Sequence, residues 1–315
     1  MKKLVAIATP SFCRNADVRS LALKVVHPNH QVIFADTEHE LAGPELVRFL
    51  KNADVAIIGK EVVSSDILSQ LPQLKAISKY GVGLDNLDLD ACKKSGVRVY
   101  WQPGVNADSA AEHTVGLMLA VFRNIARSDR CFHQGIWWKN GGVQLTGKKI
   151  GIVGFGAVGS RVAALLKAFR CSIFVSEIDF QKDNAIRAAG FEKVPFEKLI
   201  QTCDGISLHV PLSTQTFHLI DTPQFLRMKK GAFLINTSRG RVVQQTALKT
   251  ALTEGTIAGA GLDVFEEEPV QDPELFKIET LVASAHMAGN SEEAVLAMGR
   301  AAIDGVREFL FNRYH

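Results

Sequence analysis

The sequence predicts an α/β protein with two doubly wound domains, each built on a parallel sheet flanked by helices. Short apolar runs of strand character alternate with helical segments along the whole chain. A glycine-rich turn begins at Gly154, near the middle of the chain, and a second alternating series starts there. The length of 315 residues also exceeds what one hydrophobic core usually supports. Together these observations favour two domains over one.

The first hundred residues contain five apolar runs that predict parallel strands. The segment from Asn106 to Arg127 follows, with apolar residues at helical spacing and a plausible capped start over Ser109–Glu112. It predicts one long helix that joins the two halves of the chain. The five predicted strands are LVAIA (4–8), QVIFA (31–35), DVAIIG (54–59), LKAIS (74–78) and VRVY (97–100).

The second half of the chain repeats the pattern with six further runs. A helical stretch, Val158–Phe169, follows the glycine-rich turn, and an amphipathic helix is predicted over Ser291–Phe311 at the end. The pattern of the last helix does not show on which domain it packs. The six predicted strands are KIGIV (149–153), CSIFVS (171–176), GISLHV (205–210), AFLIN (232–236), IAGAGLDV (257–264) and TLVASA (280–285).

Composition excludes several classes of protein. A hydrophobic fraction of 47% with 22% charged residues is typical of a globular protein, and a net charge of +3 without a basic run argues against nucleic acid. The apolar runs Leu4–Ala8 and Val115–Phe122 are too short for a secretory signal and a bilayer span, so no membrane partner is expected. Five cysteines without ligand spacing predict free thiols in a cytoplasmic protein and no metal site.

The stretch KKIGIVGFGAVGS contains the pattern G-x-G-x-x-G between a predicted strand and a predicted helix. Gly154 permits the sharp turn, Gly156 lets the backbone approach a pyrophosphate, and Gly159 lets the helix pack close to the strand. The amino terminus of the helix then faces the anion. This context predicts a dinucleotide site that opens the second domain.

The residue that selects the dinucleotide is expected about 20 positions further on, after the second strand. Glu177 stands there, directly after CSIFVS. A carboxylate accepts hydrogen bonds from both ribose hydroxyls but repels a 2′-phosphate, so the sequence favours NAD over NADP. The alternative is an ordinary βαβ unit with a solvated glutamate.

Three polar stretches follow later predicted strands: NTSRG (236–240), DVFEEEP (263–269) and HMAG (286–289). Ligands of open α/β sheets bind beyond the carboxyl ends of the strands, so these tips are expected to converge on one cleft. Alone, Arg239 fits a surface ion pair, Glu268 fits an exposed loop and His286 fits a core histidine. Together they indicate a catalytic site.

In this order, INTSRG, LDVFEEEP and HMAG behind GFGAVGS resemble the D-isomer-specific 2-hydroxyacid dehydrogenases, and the phosphoglycerate dehydrogenase-like members in particular. SKYGVGLDNLDL (78–89) and GVNADSAAEHTVGLMLA (104–120) extend the resemblance over nearly the whole chain. It implies a Rossmann NAD-binding domain (101–289) inserted into a flavodoxin-like substrate domain (1–100 and 290–315), with the active site in the cleft between them. It also implies a homodimer through the long helix and the arm around Trp137-Trp138. The chain departs from the family in that it stops soon after the last predicted helix, so a short form without a regulatory domain is expected.

The resemblance also assigns roles to the three catalytic candidates. Arg239 is expected to bind the substrate carboxylate and carbonyl, His286 to exchange the proton, and Glu268 to orient His286. The chemistry agrees, because hydride transfer at a carbinol carbon needs a group that takes or gives the hydroxyl proton near neutral pH. A planar guanidinium matches a carboxylate with two parallel hydrogen bonds.

The resemblance implies further contacts for the cofactor and the substrate. Gly81-Val82-Gly83 matches a loop whose backbone amides hold the substrate carboxylate. Lys60 and Lys79 stand where phosphoglycerate dehydrogenases commonly have arginine for the phosphate, although two solvated surface lysines remain the alternative. Ala285 precedes His286 where the family usually has proline. The expected cofactor residues are Gly154, Gly156, Ala157, Val158, Gly159, Glu177, Val210, Thr237, Ser238, Asp263 and Gly289.

The sequence therefore predicts an NAD-dependent oxidoreductase that acts on a CH-OH donor and interconverts a D-2-hydroxy acid and its 2-keto acid. The first substrate hypothesis is 3-phosphoglycerate or a close relative. Two alternatives stay open. One is a glyoxylate/hydroxypyruvate reductase, and the other is an NAD-sensing, corepressor-like interaction protein, since corepressors share this fold.

Overall fold

The computed structural model of the chain describes residues 2–26 and 29–311. Residues 1, 27–28 and 312–315 lie outside the described residues, and with them the extreme ends of the predicted ranges 1–100 and 290–315. The chain divides into two compact units, Met1–Asn106 with Glu292–His315, and Ala107–Ser291. In the described ranges, no helix is both long and apolar enough to cross a membrane.

The first unit is built on a parallel sheet of five strands. Its strands are β1 (Leu4–Ile7), β2 (Gln31–Phe34), β3 (Val55–Ile58), β4 (Ala76–Lys79) and β5 (Arg98–Tyr100), and its first helices are α1 (Pro10–Arg14), α2 (Ala16–Val26), α3 (Gly43–Leu50), α4 (Ser65–Ser69) and α5 (Leu89–Lys94). The strand order is β2-β1-β3-β4-β5, which is typical of flavodoxin-like folds.

The central strands of this sheet form because their residues are apolar and their backbone is paired on both sides. All four residues of β3 (VAII) are buried, as expected for a strand covered by helices on both faces. Val5 of β1 pairs in register with Val32 of β2 and with Val55 of β3. The carboxyl ends of β1, β3 and β4 therefore lie along one edge of the sheet.

The second unit is built on a parallel sheet of seven strands. Its helices are α6 (Ala107–Phe122), α7 (Ile125–His133), α8 (Ala157–Leu166), α9 (Asp183–Ala188), α10 (Phe196–Thr202), α11 (Thr222–Arg227) and α12 (Gln245–Thr253). Its strands are β6 (Lys149–Val153), β7 (Ser172–Ser176), β8 (Glu192–Lys193), β9 (Gly205–Leu208), β10 (Phe233–Asn236), β11 (Gly259–Leu262) and β12 (Leu281–Ala283).

The strand order of this sheet is β12-β11-β10-β9-β6-β7-β8. Counted from β6, it is the order typical of a Rossmann dinucleotide-binding sheet with one more strand at the edge. The order reverses at β6, which pairs with β7 on one side and β9 on the other. The predicted fold class, two doubly wound parallel-sheet domains, is confirmed.

The prediction of one long helix over 106–127 is wrong. The structure contains two helices, α6 and α7, separated at Asn124, whose φ of 54° is left-handed. Asparagine tolerates this conformation better than most residues, so the chain turns there although the apolar spacing continues. α7 is therefore a separate helix, and none of its residues is buried within the chain.

The last helix, α13 (Glu292–Phe311), packs on the first unit. Its residues Met298, Ala302, Ile303 and Val306 belong to the hydrophobic core of that unit. Ser78 of β4 donates a hydrogen bond of 2.6 Å to the Ala302 carbonyl oxygen. The chain therefore returns to its first unit after completing the second.

Candidate active site

The glycine-rich turn between β6 and α8 has the shape of a dinucleotide cradle. Gly154 has φ of 91°, and a Cβ there would collide with the carbonyl of His209. A Cβ on Gly159 would collide with the Gly154 carbonyl oxygen, so both positions require glycine. At Gly156 no neighbouring atom lies within 4 Å of an added Cβ, so the backbone borders open space at the start of α8. This arrangement fits a pyrophosphate.

Glu177 follows β7 and is held by three donors. Its Oε1 accepts a hydrogen bond from the Asp179 amide (3.0 Å), and its Oε2 accepts from the Phe155 amide (2.7 Å) and the Lys182 ammonium (3.0 Å). Burial raises the pKa of the Glu177 carboxyl, but these hydrogen bonds outweigh it and leave the pKa below its usual range. Glu177 is therefore a carboxylate at neutral pH.

His209 was not predicted from the sequence. It follows β9, and its Nε2 lies 2.8 Å from the Ser207 hydroxyl. Its Cβ is one of the atoms that leave no room for a side chain on Gly159. Burial lowers the pKa of His209 to about 3, so a neutral imidazole stands beside the glycine-rich turn.

Two of the predicted catalytic residues, His286 and Glu268, are in contact. His286 Nδ1 lies 2.6 Å from Glu268 Oε2, and Glu268 Oε1 accepts a hydrogen bond of 3.1 Å from the Phe265 amide. Of the other two glutamates in this run, Glu266 pairs with His218 at 2.8 Å, and Glu267 is exposed. The fixed carboxylate of Glu268 accepts a hydrogen bond from the Nδ1–H group, so Nε2 of His286 is available for a substrate oxygen.

The loop that carries His286 is anchored on Asp263. This carboxylate is 1% exposed. It accepts hydrogen bonds from the Ser284 hydroxyl (2.6 Å) and from the amides of Met287 (2.9 Å) and Ala288 (2.8 Å). The His286 amide donates to the Asp263 carbonyl oxygen, and His286 itself has a left-handed φ of 51°. Asp263 was predicted as a cofactor contact, and the structure shows it as the anchor of this loop.

His113 of α6 supports the same anchor and was also missed. Its Nε2 lies 2.8 Å from the Ser284 hydroxyl and 3.5 Å from Asp263 Oδ1. His113 and Ser284 are 171 residues apart in the sequence, and His113 is one of several polar residues in the first half of α6. Because the contact depends on the fold, spacing in the sequence did not reveal it.

Arg239 lies in a tight turn after β10. The Asn236 amide group donates to the Arg239 carbonyl oxygen (2.9 Å), while its Oδ1 accepts from the Ser238 amide (3.0 Å) and hydroxyl (2.8 Å). A Cβ on Gly240 would overlap the Phe265 carbonyl group. Glycine at 240 therefore brings the Arg239 turn against the loop that leads to Glu268.

The other predicted cofactor residues surround the same strand ends. Ala157 and Val158 are the first residues of α8, and Val210 follows His209. The hydroxyl oxygens of Thr237 and Thr114 lie 2.8 Å apart, and Gly289 follows the buried Ala288. The cofactor contacts themselves stay predictions. In the described residues, no group of three histidine, cysteine, aspartate or glutamate side chains could hold a metal ion.

The two predicted phosphate-binding lysines differ in their surroundings within the first unit. Lys60 is exposed, whereas Lys79 is 5% exposed. The Lys79 ammonium donates to the Gly59 carbonyl oxygen and, at 2.8 Å, to Asn86 Oδ1. Asn86 also donates to the Gly59 carbonyl oxygen at 3.0 Å. Lys79 is thus part of a polar network inside the unit.

The predicted carboxylate loop, Gly81-Val82-Gly83, follows β4. Gly81 has φ of 116°, a conformation that favours glycine. The Trp101 indole N–H donates to the Val82 carbonyl oxygen at 2.8 Å. The loop is therefore fixed on its carbonyl side, and its role in binding a carboxylate stays a prediction.

Glu61 is a further buried ionisable residue that was not predicted. It is 1% exposed, and its Oε2 accepts hydrogen bonds from the Gly59 amide (2.7 Å) and the Thr9 hydroxyl (3.0 Å). Its Oε1 is buried with no hydrogen-bond partner among the described residues. Burial raises the pKa of Glu61 and outweighs the hydrogen bonds to Oε2.

Comparisons with known proteins agree with this geometry. The family model described as "D-isomer specific 2-hydroxyacid dehydrogenase, NAD binding domain" matches residues 115–288. The chain is 43% identical over 241 residues to a glyoxylate reductase of Thermococcus litoralis, covering 74% of this chain and 72% of the relative. It is 36% identical over 274 residues to a D-3-phosphoglycerate dehydrogenase of Methanocaldococcus jannaschii, covering 86% of this chain and 52% of the relative.

A solved structure is similar over almost the whole chain. The D-lactate dehydrogenase of Aquifex aeolicus, complexed with NAD and lactic acid, has a TM-score of 0.85 at 25% identity and covers 98% of this chain and 95% of that one. The nucleotide cradle and these matches define an NAD-dependent oxidoreductase. Within that class, the chain belongs to the D-isomer specific 2-hydroxyacid dehydrogenase family. The predicted family, enzyme class and cofactor are confirmed.

Proposed function

We propose that this enzyme uses NADH to reduce a small, unphosphorylated 2-keto acid, of which glyoxylate and hydroxypyruvate are the candidates. The observation that carries the proposal is the burial of Lys79. Its ammonium is engaged by Gly59 and Asn86 inside the first unit, which leaves Lys60 as the exposed one of the two lysines that a phosphate would need. A single exposed lysine is weak support for phosphate recognition, because it lacks the fixed fork that an arginine offers.

The relatives support the same choice without deciding it. The Thermococcus litoralis relative is named a glyoxylate reductase and is covered over most of its length. Another relative, from Methanocaldococcus jannaschii, is named a D-3-phosphoglycerate dehydrogenase. For this reason 3-phosphoglycerate, the substrate first predicted from the sequence, stays the second candidate. Hydroxypyruvate differs only by the phosphate from phosphohydroxypyruvate, the keto acid that corresponds to 3-phosphoglycerate, so a direct comparison of these two substrates separates the candidates.

His286 acts as the proton donor in the proposed reduction. The Glu268 carboxylate accepts a hydrogen bond from the Nδ1–H group and stabilises the imidazolium form. Nε2 then gives its proton to the carbonyl oxygen as the hydroxyl group forms, and in the reverse direction it takes the proton back. The bound NADH supplies the hydride. The keto acid, NADH and a proton are consumed, and the hydroxy acid and NAD are formed.

Arg239 holds the substrate in this scheme. Its guanidinium forms two parallel hydrogen bonds with a carboxylate, or one with the carboxylate and one with the carbonyl oxygen. We assign the second unit to the cofactor, with Glu177 accepting from the adenosine ribose, and the first unit to the substrate, with the backbone of Gly81-Val82-Gly83 binding the carboxylate.

We further propose a cytoplasmic homodimer. All five cysteines are free, which suits a reducing compartment. The helix α7 has no buried residue, and its apolar side chains Ile125 and Phe132 are more than half exposed. A second copy of the chain would cover this surface, as the resemblance also implies.

The test is NADH consumption by the purified enzyme with glyoxylate, hydroxypyruvate and phosphohydroxypyruvate. We expect kcat/KM for an unphosphorylated acid to exceed that for phosphohydroxypyruvate by at least about tenfold, the change that about 1.4 kcal/mol produces. A preference for the phosphorylated acid would overturn the proposal in favour of phosphoglycerate. Tight NADH binding without turnover of any of the three acids would favour the NAD-sensing alternative.

A further inference from the structure

The carboxylate that we assign to the adenosine ribose is covered by a lysine. Glu177 has a side chain only 6% exposed, whereas the side chain of Lys182 is 36% exposed. The Lys182 ammonium lies 3.0 Å from Glu177 Oε2. The acidic group therefore lies inward, and the basic group lies on its solvent side.

The hydrogen-bonding capacity of Glu177 is nearly filled. A carboxylate offers about four acceptor positions, and Phe155, Asp179 and Lys182 occupy three of them. The two hydroxyl groups of a ribose need two positions. We therefore expect Lys182 to leave Glu177 when both hydroxyls bind there, which would place its ammonium beside the ribose.

The other acidic residues near Lys182 do not compete with Glu177 for its ammonium. Lys182 ends a short 3₁₀ turn, Phe180–Lys182, which the Asp179 carboxylate caps by accepting from the Gln181 amide at 3.0 Å. The next acidic residue, Asp183, pairs with Lys193. Asp179 and Asp183 thus have partners of their own, and Glu177 is the acidic partner of Lys182 in the described chain.

We propose that Lys182 is a cofactor-specificity residue that binds the 2′-phosphate of NADPH, so that this enzyme binds NADPH as well as NADH. A lone Glu177 would repel the 2′-phosphate, as the sequence alone suggests. The ammonium offsets that charge and offers a charge-assisted hydrogen bond to the phosphate. The inference concerns the cofactor and does not depend on which keto acid is the substrate.

The test is the dissociation constant of NADH and of NADPH, each measured by the fluorescence of the reduced nicotinamide without any keto acid. The variants are Lys182→Ala and a matched control, Lys198→Ala, whose lysine pairs with Glu192 at 3.4 Å on the same unit. We expect Lys182→Ala to weaken NADPH binding about tenfold and to change NADH binding less than about threefold. Lys198→Ala should change neither.

Two further measurements make the outcome decisive. Raising the salt concentration should weaken NADPH binding more than NADH binding in the native enzyme, and this difference should disappear in Lys182→Ala. Glu177→Gln should strengthen NADPH binding, because it removes the repelling charge. The proposal is overturned if the native enzyme does not bind NADPH, or if Lys182→Ala weakens both cofactors equally. Since no keto acid is present, failure here is distinct from failure of the proposed substrate.

Discussion

At the scale of single residues, His286 is the group whose loss should be most specific to the chemical step. His286→Ala removes the proton donor but leaves the glycine-rich turn and Glu177 unchanged. We expect kcat to fall about 10²- to 10⁴-fold, while the dissociation constant of NADH stays within about twofold of the native value. Steady-state kinetics and NADH fluorescence titration measure the two quantities. A folded variant that no longer binds NADH would show that His286 is structural.

The adjacent residues Glu267 and Glu268 provide a matched pair of variants that tests the role of Glu268. Glu268→Gln keeps the size of the side chain but removes the charge that stabilises the imidazolium of His286. We expect kcat to fall at least about tenfold. Glu267 is exposed and makes none of these contacts, so Glu267→Gln should keep the native kcat. Equal activities of the two variants would contradict the pairing of His286 with Glu268.

Glu61 predicts a pH dependence of stability. Its folded-state pKa is raised by burial, so the native state favours the protonated form. The stability from this group is complete below the unfolded pKa and is lost as the pH rises through the folded pKa. Glu61→Gln carries no charge at any pH. We therefore expect the free energy of unfolding of the variant, relative to the native enzyme, to rise as the pH increases from 4.5 to 8.

Urea unfolding at a series of pH values measures this difference for Glu61→Gln. The control is Glu38→Gln, because Glu38 is exposed and its carboxylate is hydrated in both states. That variant should follow the native pH dependence. A constant difference between Glu61→Gln and the native enzyme across the series would show that folding does not raise the pKa of Glu61.

At the scale of elements, Asp263 connects the end of β11 to the loop between β12 and α13. Asp263→Asn replaces one acceptor oxygen with a donor that faces a backbone amide. We expect the free energy of unfolding to fall by about 1–3 kcal/mol and kcat to fall at least about tenfold, with NADH binding close to native. The control, Asp272→Asn, alters an ion pair with Lys249 and should keep the native kcat. Native kcat in Asp263→Asn would mean that the loop is held by other contacts.

The strands could be predicted from the sequence because each is a short apolar run. The predicted run KIGIV coincides with β6, and the other runs exceed or miss the observed strands by a few residues. The two-residue strand β8 was not predicted, since Glu192 and Lys193 have no apolar pattern. The break at Asn124 was missed because one left-handed residue leaves the apolar spacing unchanged. Periodicity reports which face is buried, and it does not report the φ angle of one residue.

The site could be predicted only in part, for a related reason. Gly154, Glu268 and His286 stand in motifs whose order indicates their chemistry. The pairs Lys182 with Glu177 and His113 with Ser284 are ordinary polar residues until the fold brings them together. The predicted strand LKAIS ends before Lys79, whereas Lys79 is the last residue of β4. Its burial depends on contacts with Gly59 and Asn86 and is not visible in its own motif.

At the scale of the whole molecule, the distribution of exposed apolar side chains argues for a partner copy. Five of the 17 large apolar side chains that are exposed in the described chain lie within residues 125–143. They are Ile125, Phe132, Ile136, Trp137 and Val143. Since a monomer rarely exposes so many apolar groups in one segment, we propose that this segment forms the contact between two copies.

Trp137→Ser tests this contact because Trp137 is 79% exposed within one chain and tryptophan is a frequent centre of binding energy in interfaces. We expect the dimer to weaken by at least about 2 kcal/mol, or about 30-fold in the dissociation constant measured by sedimentation. The control is Leu226→Ser, which removes a side chain that is 71% exposed outside the segment, and it should keep the native association. If both variants associate as the native enzyme does, residues 125–143 do not form the interface. A monomeric native enzyme would remove the dimer proposal altogether and leave this apolar surface open to solvent.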